Sequence, residues 1–184
     1  GVAVTYFGDG AANQGQVAES YNMAALWKLP VLYVIENNQY GMGTSVKRSS
    51  SGEFYKRGEG FGIPGEQVDG MDVLKVREAA KKALKHVRDG NGPYILEMMT
   101  YRYRGHSMSD PAKYRTKDEV SSYKDDHDPL LIIKKIMLDN EISEDEIKTI
   151  DKEVKAVINE AAEFAQESKE PDPEELWTDV LIEA

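Results

Sequence analysis

Asp9 stands between Gly8 and Gly10, directly after the apolar run Val2–Phe7, and Glu36-Asn37-Asn38-Gln39-Tyr40-Gly41 follows a second apolar run, Val31–Ile35. Asp9 and Asn38 lie 29 positions apart, one offering a charged oxygen and the other a neutral one. Magnesium takes a tight octahedron of oxygens and keeps few protein ligands where phosphates supply the rest. The Asp9 carboxylate, the Asn38 amide oxygen, a backbone carbonyl near Tyr40, two phosphate oxygens and one water would complete such a shell. The spacing therefore predicts a metal–diphosphate cradle. Gly8 and Gly10 would let the backbone turn sharply and let phosphate approach the amides of Gly10 and Ala11. The helix that follows would aim its positive N-terminal end at the anion. Gly-Asp-Gly alone is most often a tight turn, and Asn-Asn after a strand is equally unspecific alone. Joined by a strand–helix–strand unit, the two become a specific pattern.

The elements that must position these residues follow from periodicity. Val2–Phe7 is short, apolar and β-branched, as a buried strand is. Val17, Tyr21, Ala24, Ala25 and Leu26 recur on one face of a helix expected over Gln16–Trp27, which Leu29-Pro30 ends. Val31–Ile35 shows no polar alternation, the mark of a parallel strand covered on both sides. In an open parallel sheet ligands bind beyond the carboxyl ends of the strands, which is where Asp9 and Asn38 fall. Thr44–Val68 reads as a long polar segment without periodicity. Asp72 is a candidate N-cap for a helix carrying Val73, Val76, Ala80, Ala83, Leu84 and Val87. Gly90-Asn91-Gly92-Pro93 breaks that helix, Tyr94–Tyr101 predicts another strand, and Tyr101–Arg115 an irregular loop. Beyond Thr116 the pattern turns helical. Thr116 with Glu119 and Ser143 with Glu146 match capping boxes, and Asp128-Pro129 matches a helix start. Ile147, Ile150, Val154, Val157, Ile158, Ala161, Phe164 and Ala165 form an amphipathic stripe that reads as a packing face with no chemistry in it.

The chain of 184 residues has room for one α/β domain and a helical appendage, and no run of it is as long and apolar as a membrane span. It has no cysteine, so disulfides, thiolate metal sites and cysteine nucleophiles are excluded. The net charge of −10 is uneven. Residues 1–115 carry 15 Lys and Arg against 12 Asp and Glu, a balance of +3, whereas residues 116–184 carry 8 against 21, a balance of −13. The slightly basic part is the one that would hold a diphosphate. The acidic part reads as a solvated helical surface, and no basic stripe supports nucleic-acid binding. A chain that begins at Gly1, already inside an expected strand, is expected to be a fragment or a processed product.

The words around the cradle carry a family resemblance. Gly8-Asp9-Gly10-Ala11-Ala12-Asn13-Gln14-Gly15, Tyr21-Asn22-Met23-Ala24-Ala25-Leu26-Trp27-Lys28-Leu29-Pro30, Glu36-Asn37-Asn38, Tyr40-Gly41-Met42-Gly43-Thr44-Ser45 and Tyr101-Arg102-Tyr103-Arg104-Gly105-His106-Ser107-Met108-Ser109-Asp110-Pro111 resemble the alpha subunits of the thiamine diphosphate-dependent 2-oxo acid dehydrogenases, and most closely those that act on pyruvate. The resemblance is dense through about residue 116 and loose in the acidic tail, and it covers the C-terminal half of that kind of subunit. It implies a thiamine diphosphate-binding fold over residues 1–116, a parallel sheet flanked by helices. Residues 117–184 would be an acidic helical extension packing on it. It implies Mg2+ ligation by Asp9, Asn38 and the Tyr40 carbonyl, and diphosphate contacts from Gly8, Gly10 and Ala11. His106 would stand beside the cofactor as the one catalytic group of this chain, exchanging protons near neutral pH. His86 and His127 are expected at the surface.

The resemblance also implies partners. The cofactor would lie between this chain and a beta subunit in an alpha2beta2 heterotetramer, with the carboxylate that activates the aminopyrimidine supplied by the beta subunit. The acetyl group from pyruvate would pass to a lipoyl domain of the dihydrolipoyl acyltransferase. Ser45 and Ser107 match positions phosphorylated in mitochondrial members. The chain departs from those members at Lys113, and at Gly58-Glu59-Gly60-Phe61-Gly62-Ile63, which looks longer here. The two serines therefore read as ordinary loop serines. The expected setting is a bacterial cytoplasm, or a mitochondrial matrix if the source is eukaryotic, with no membrane attachment. Alternatives left open are the alpha subunit of a branched-chain 2-oxo acid or acetoin dehydrogenase, and a non-catalytic assembly scaffold.

Overall fold

A computed structural model of the chain describes residues 1–178. Its centre is a four-stranded parallel sheet of order β1–β2–β6–β5, formed by β1 (Ala3–Gly8), β2 (Val31–Asn37), β6 (Tyr94–Met99) and β5 (Gly65–Asp69). A small antiparallel hairpin, β3 (Tyr40–Gly41) and β4 (Thr44–Ser45), follows β2 directly. The α/β fold expected from the sequence is the one observed.

β2 and β6 are buried along almost their whole length. Alternation along them feeds two separate cores. Tyr33, Ile35 and Ile95 face α1 (Gly15–Leu26) and the 3-10 helix Phe54–Phe61, against Tyr21, Ala24 and Phe54. Leu32, Val34, Leu96 and Met98 face α3 (Val73–Arg88), against Ala83 and Val87. Each large apolar side chain so buried contributes roughly 1.5–3 kcal/mol, so the stiffest part of the molecule is the pair of strands that leads to Asn37 and Asn38. Asp72 caps α3 as expected, accepting from the amides of Leu74 and Lys75.

Some expectations are corrected. Val31–Ile35 continues in strand form through Asn37, so only Asn38 belongs to the turn. The polar segment over Thr44–Val68 is not structureless: it holds β4, a short helix α2 (Val46–Ser49), the 3-10 helix and β5. β5 escaped the reading because Gly-Glu-Gln-Val-Asp offers a single apolar residue, Val68, and lies at the edge of the sheet. Leu26 is largely exposed and does not belong to the buried face of α1.

Chain contacts divide the protein into two compact units, Gly1–Lys135 and the residues from Ile136 onward. The first also holds α4 (Lys117–Asp126) and the start of α5 (Pro129–Asp139). α5 begins at Pro129, with Asp128 Oδ1 accepting from Leu130 N at 2.8 Å. The second is built on α6 (Glu144–Glu167), opened by a complete capping box between Ser143 and Glu146. Val154, Val157, Ile158 and Phe164 of its apolar stripe are exposed. Among the described residues no helix is long and apolar enough to cross a membrane.

Candidate functional site

β1 and β2 run parallel with Gly8 opposite Glu36, so the residues that follow both strands emerge at the same carboxyl edge. Asp9 is buried (3% exposed), and its Oδ1 accepts from the amide of Asn38 at 3.3 Å. Desolvation is the largest influence on this carboxyl and raises its pKa above the ordinary value. A carboxylate removed from water without a counter-ion costs on the order of several kcal/mol, so this position favours an incoming cation. Asn38 Oδ1 accepts from Tyr40 N at 3.2 Å, folding the turn back on itself. The carbonyl of Tyr40 lies at the same edge, 3.4 Å from Arg102 Nη1.

Gly10 is in the right-handed helical region, φ −63 and ψ −47, so it is not there for a left-handed turn. A Cβ built on it would meet Gly41 Cα at 3.4 Å, and one built on Gly41 would meet Gly10 Cα at 3.2 Å. The glycine pair lets the turn after β1 touch the hairpin after β2. Ala11 opens a single 3-10 turn, Ala11–Asn13, before α1. Arg57 clamps that turn from the side, with Nη1 on Ala12 O at 2.7 Å and Nη2 on Asn13 Oδ1 at 2.8 Å.

His106 reaches this edge through Arg102. The guanidinium contacts His106 Nδ1 at 3.1 Å, Met42 O at 2.7 Å and the Tyr114 hydroxyl at 3.0 Å, besides the Tyr40 carbonyl. The loop around His106 is tied internally by Asp110, which accepts from His106 N, Ala112 N and the Tyr114 hydroxyl. Those donors hold the Asp110 carboxyl down to about 2, the His106 amide being the strongest. Arg115 closes the loop by donating to the carbonyls of Arg102, Tyr103 and Arg104. His106 itself is exposed.

Glu119 of α4 joins the loop to the hairpin. Its Oε1 accepts the hydroxyls of Tyr40 at 2.8 Å and Tyr101 at 2.9 Å. Burial, then this carboxylate, pushes the Tyr101 phenol up to about 12. Thr116 caps α4 by accepting from Glu119 N, but the Glu119 side chain is committed to the two tyrosines, so the expected capping box here is only half formed.

The sequence-predicted residues thus converge: Gly8, Asp9, Gly10, Ala11, Asn38, Tyr40 and His106 share one end of the sheet. Sequence reasoning missed Gly41, Arg57, Arg102, Arg115 and Glu119. Arg102 and Arg115 bracket the irregular loop, the one signal in the sequence that pointed to them. Among the described residues no three His, Asp or Glu side chains gather as a metal-binding group. A cation here would draw on Asp9, the Asn38 amide oxygen, a backbone carbonyl and its ligand's own oxygens, and the buried Asp9 carboxylate fits that demand.

The alpha subunit of the pyruvate dehydrogenase E1 component of Rhizobium meliloti is 61% identical over 183 residues, covering 98% of this chain and 53% of that protein. The subunit of the same name from Zymomonas mobilis is 55% identical, covering 99% of this chain and 52% of that protein. The mitochondrial one from Sminthopsis macroura is 53% identical over 178 residues, covering 95% and 48%. The chain therefore spans about half the length of the curated relatives it matches. With the "Dehydrogenase E1 component" pattern matched across residues 1–174 and the Asp9–Asn38 edge built as described, the chain belongs to the dehydrogenase E1 component family.

Proposed function

We propose that this chain forms the magnesium- and diphosphate-holding part of the alpha subunit of a pyruvate dehydrogenase that uses thiamine diphosphate. The observation that carries the reading is the buried Asp9 carboxylate, hydrogen-bonded to Asn38 at the ends of two parallel strands. Asp9, the Asn38 side-chain oxygen and the Tyr40 carbonyl would hold the cation. Gly8 and the backbone of Gly10 and Ala11 would take the diphosphate, whose charge a cation there would offset. Thiamine diphosphate, when bound, supplies the electron sink needed as a 2-oxo acid loses carbon dioxide.

The remaining work of this chain is positional and protonic. Arg102, through Met42 O and the Tyr114 hydroxyl, anchors the His106 loop beside the Tyr40 carbonyl that a cation would draw on. The His106 imidazole, exposed beside the edge, donates or removes a proton from substrate or from an incoming lipoyl group. A beta subunit completes the site with the carboxylate that activates the aminopyrimidine, in an alpha2beta2 assembly. The acetyl group leaves on the lipoyl domain of a dihydrolipoyl acyltransferase. The setting is a bacterial cytoplasm, in line with the bacterial sources of the relatives.

The test is turnover of pyruvate against branched-chain 2-oxo acids and acetoin by the full-length alpha subunit with its beta partner. Pyruvate is expected to be the fastest. Faster turnover of a branched acid or of acetoin would move the chain to that branch of the family. A correctly assembled complex that turns over none of them would leave only the scaffold.

A further inference from the structure

Glu97 lies in the middle of the sheet, on β6 between Ile35 of β2 and Gln67 of β5, and is 1% exposed. It shares the parity of Ile95 and so points into the core under α1 and the 3-10 helix. An apolar residue at this position would carry none of the desolvation cost of a buried carboxylate, which is on the order of several kcal/mol. A buried polar group of this kind calls for a reason.

Its partners supply one. Glu97 Oε1 accepts from Asn37 Nδ2 at 2.7 Å, and Oε2 accepts from Tyr55 N at 3.1 Å. With its amino group committed to Glu97, Asn37 turns its Oδ1 to Gln39 N at 3.2 Å and Gln39 Nε2 at 3.3 Å. That fixes the turn on which Asn38 and Tyr40 sit. On the other side, Tyr55 is in the 3-10 helix whose Arg57 clamps Ala12 and Asn13. One carboxylate therefore ties the turn after β2 to the turn after β1. Two donors arrive on two different oxygens, and an ionised carboxylate, which accepts only, is the side chain that satisfies both.

We infer that Glu97 is a positioning residue that holds the two halves of the cation–diphosphate cradle in register and thereby sets the affinity of the site for its cofactor. The inference rests on the proposed reading of Asp9, Asn38 and Tyr40 as cation ligands. Glu97 touches neither ligand nor substrate. Its substitution should therefore weaken binding while leaving turnover nearly intact once cofactor saturates the site. Glu97→Gln keeps the shape but sets an amino group against either Asn37 Nδ2 or Tyr55 N. Asn37→Asp combined with Glu97→Gln reverses one link, with the glutamine donating to the aspartate and still accepting from Tyr55, and it restores the charge.

The experiment is calorimetric titration of thiamine diphosphate and of Mg2+ into the full-length alpha–beta complex, with turnover at saturating cofactor and a melting curve for each variant. Glu97→Gln is expected to raise both dissociation constants about 10–100-fold, the range typical of residues that orient ligands. Turnover at saturation should stay within about threefold, and the double variant should return towards parental affinity. A lowered melting temperature with parental affinity would overturn the inference, and so would a double variant that melts like the parent but binds tenfold more weakly. That second comparison decides the matter if Glu97→Gln alone does not fold. Asp9→Ala in the same titration separates the two claims. Unchanged affinity there sinks the cation reading itself, whereas lost affinity there with parental affinity in Glu97→Gln sinks only the role of Glu97.

Discussion

The cradle at Asp9 and Asn38 and the loop at His106 reach the same edge by different means. The cradle is placed mainly by the sheet beneath it: the register of β1 on β2 fixes Gly8 against Glu36, the glycine contact between Gly10 and Gly41 seats the hairpin, and the buried Glu97 braces the turns from the core. The loop over residues 100–116 has no regular structure, and charged side chains place it. Arg115 gathers three carbonyls, Asp110 gathers His106 N, Ala112 N and Tyr114, and Arg102 bridges to Met42. Asp9 in the cradle is buried where the loop tip is open, with Met108 wholly exposed. A ligand site for a tightly held cation gains from a stiff frame. A residue proposed to meet substrate and then a lipoyl arm gains from a frame that a few contacts can tighten or release.

The largest effect is expected from Asp9→Ala. It removes the one ionised ligand proposed for the cradle, and magnesium-dependent binding of thiamine diphosphate by the full complex is expected to be abolished. The fold should survive, since the carboxylate it deletes is desolvated. Calorimetry that returned parental affinity would show that the cradle does not depend on Asp9.

A smaller effect is expected on the loop side. Asp110→Ala frees the His106 amide, the Ala112 amide and the Tyr114 hydroxyl together, so the loop should loosen while the cradle stays intact. Cofactor affinity is expected to stay within a few-fold, and turnover to fall on the order of 10–100-fold as the imidazole loses its fixed place. Tryptic cleavage at Arg104 and Lys113 should quicken. A loss of affinity as deep as that of Asp9→Ala would mean that the two regions are one unit.

Much of this division was legible in the sequence, and the part that was not has a physical cause. Strands β1, β2 and β6 announced themselves as apolar runs, although β1, expected to be buried, lies at the sheet edge with Val4 and Tyr6 exposed, and Asp9 and Asn38 stood out as polar residues placed just past such runs. The helix starts at Asp72, Asp128 and Ser143 are local events between neighbours, which is why they could be read directly. Tertiary partners left little trace. Glu119 looked like half of a capping box because its sequence neighbour Thr116 completes the pattern, yet its carboxylate is drawn off by Tyr40, 79 positions away. Glu97 sits in an otherwise apolar strand, and nothing local says that Asn37 and Tyr55 will meet it. Gly10 read as a glycine for a sharp turn and phosphate approach, and nothing local says that Gly41 will touch it across two turns.

Glu119 is the point where the two regions meet, so it sharpens the comparison. The Tyr101 phenol lies up to about 12, above its ordinary 10.0. A group whose folded pKa is raised contributes stability that is complete below the unfolded value and is lost as pH rises through the folded one. The tie between loop and hairpin should therefore hold up to about pH 10 and weaken between about 10 and 12. Spectrophotometric titration of phenolate is expected to show late-ionising tyrosines in the parent, Tyr101 among them beside Tyr103 and Tyr21, which burial also pushes up. In Tyr101→Phe that late component should shrink by the Tyr101 share, and in Glu119→Gln part of it should move to lower pH. An unchanged titration in Glu119→Gln would remove Glu119 as the link.

The smallest effect expected compares the two caps. Thr116 accepts one hydrogen bond, from Glu119 N at 3.1 Å, while the Glu119 carboxylate accepts from the tyrosines and not from the Thr116 amide. Ser143 takes part in the full reciprocal box, accepting from Glu146 N while its own amide donates to Glu146 Oε2 at 2.9 Å. Loss of a cap costs about 0.5–2 kcal/mol. Thr116→Ala belongs at the lower end of that range, and Ser143→Ala at the upper end because the Ser143 hydroxyl also donates to Glu146 Oε2 at 2.7 Å. The functional consequences should run the other way. Thr116 holds the start of α4, whose Glu119 grips Tyr40 and Tyr101, so its loss should quicken cleavage of the His106 loop. Ser143 opens a helix of the other compact unit, so its loss should lower the melting midpoint of that unit and leave loop cleavage at the parental rate. Loop cleavage that quickened equally in both variants would show that loop order follows overall stability and not the local tie through Glu119.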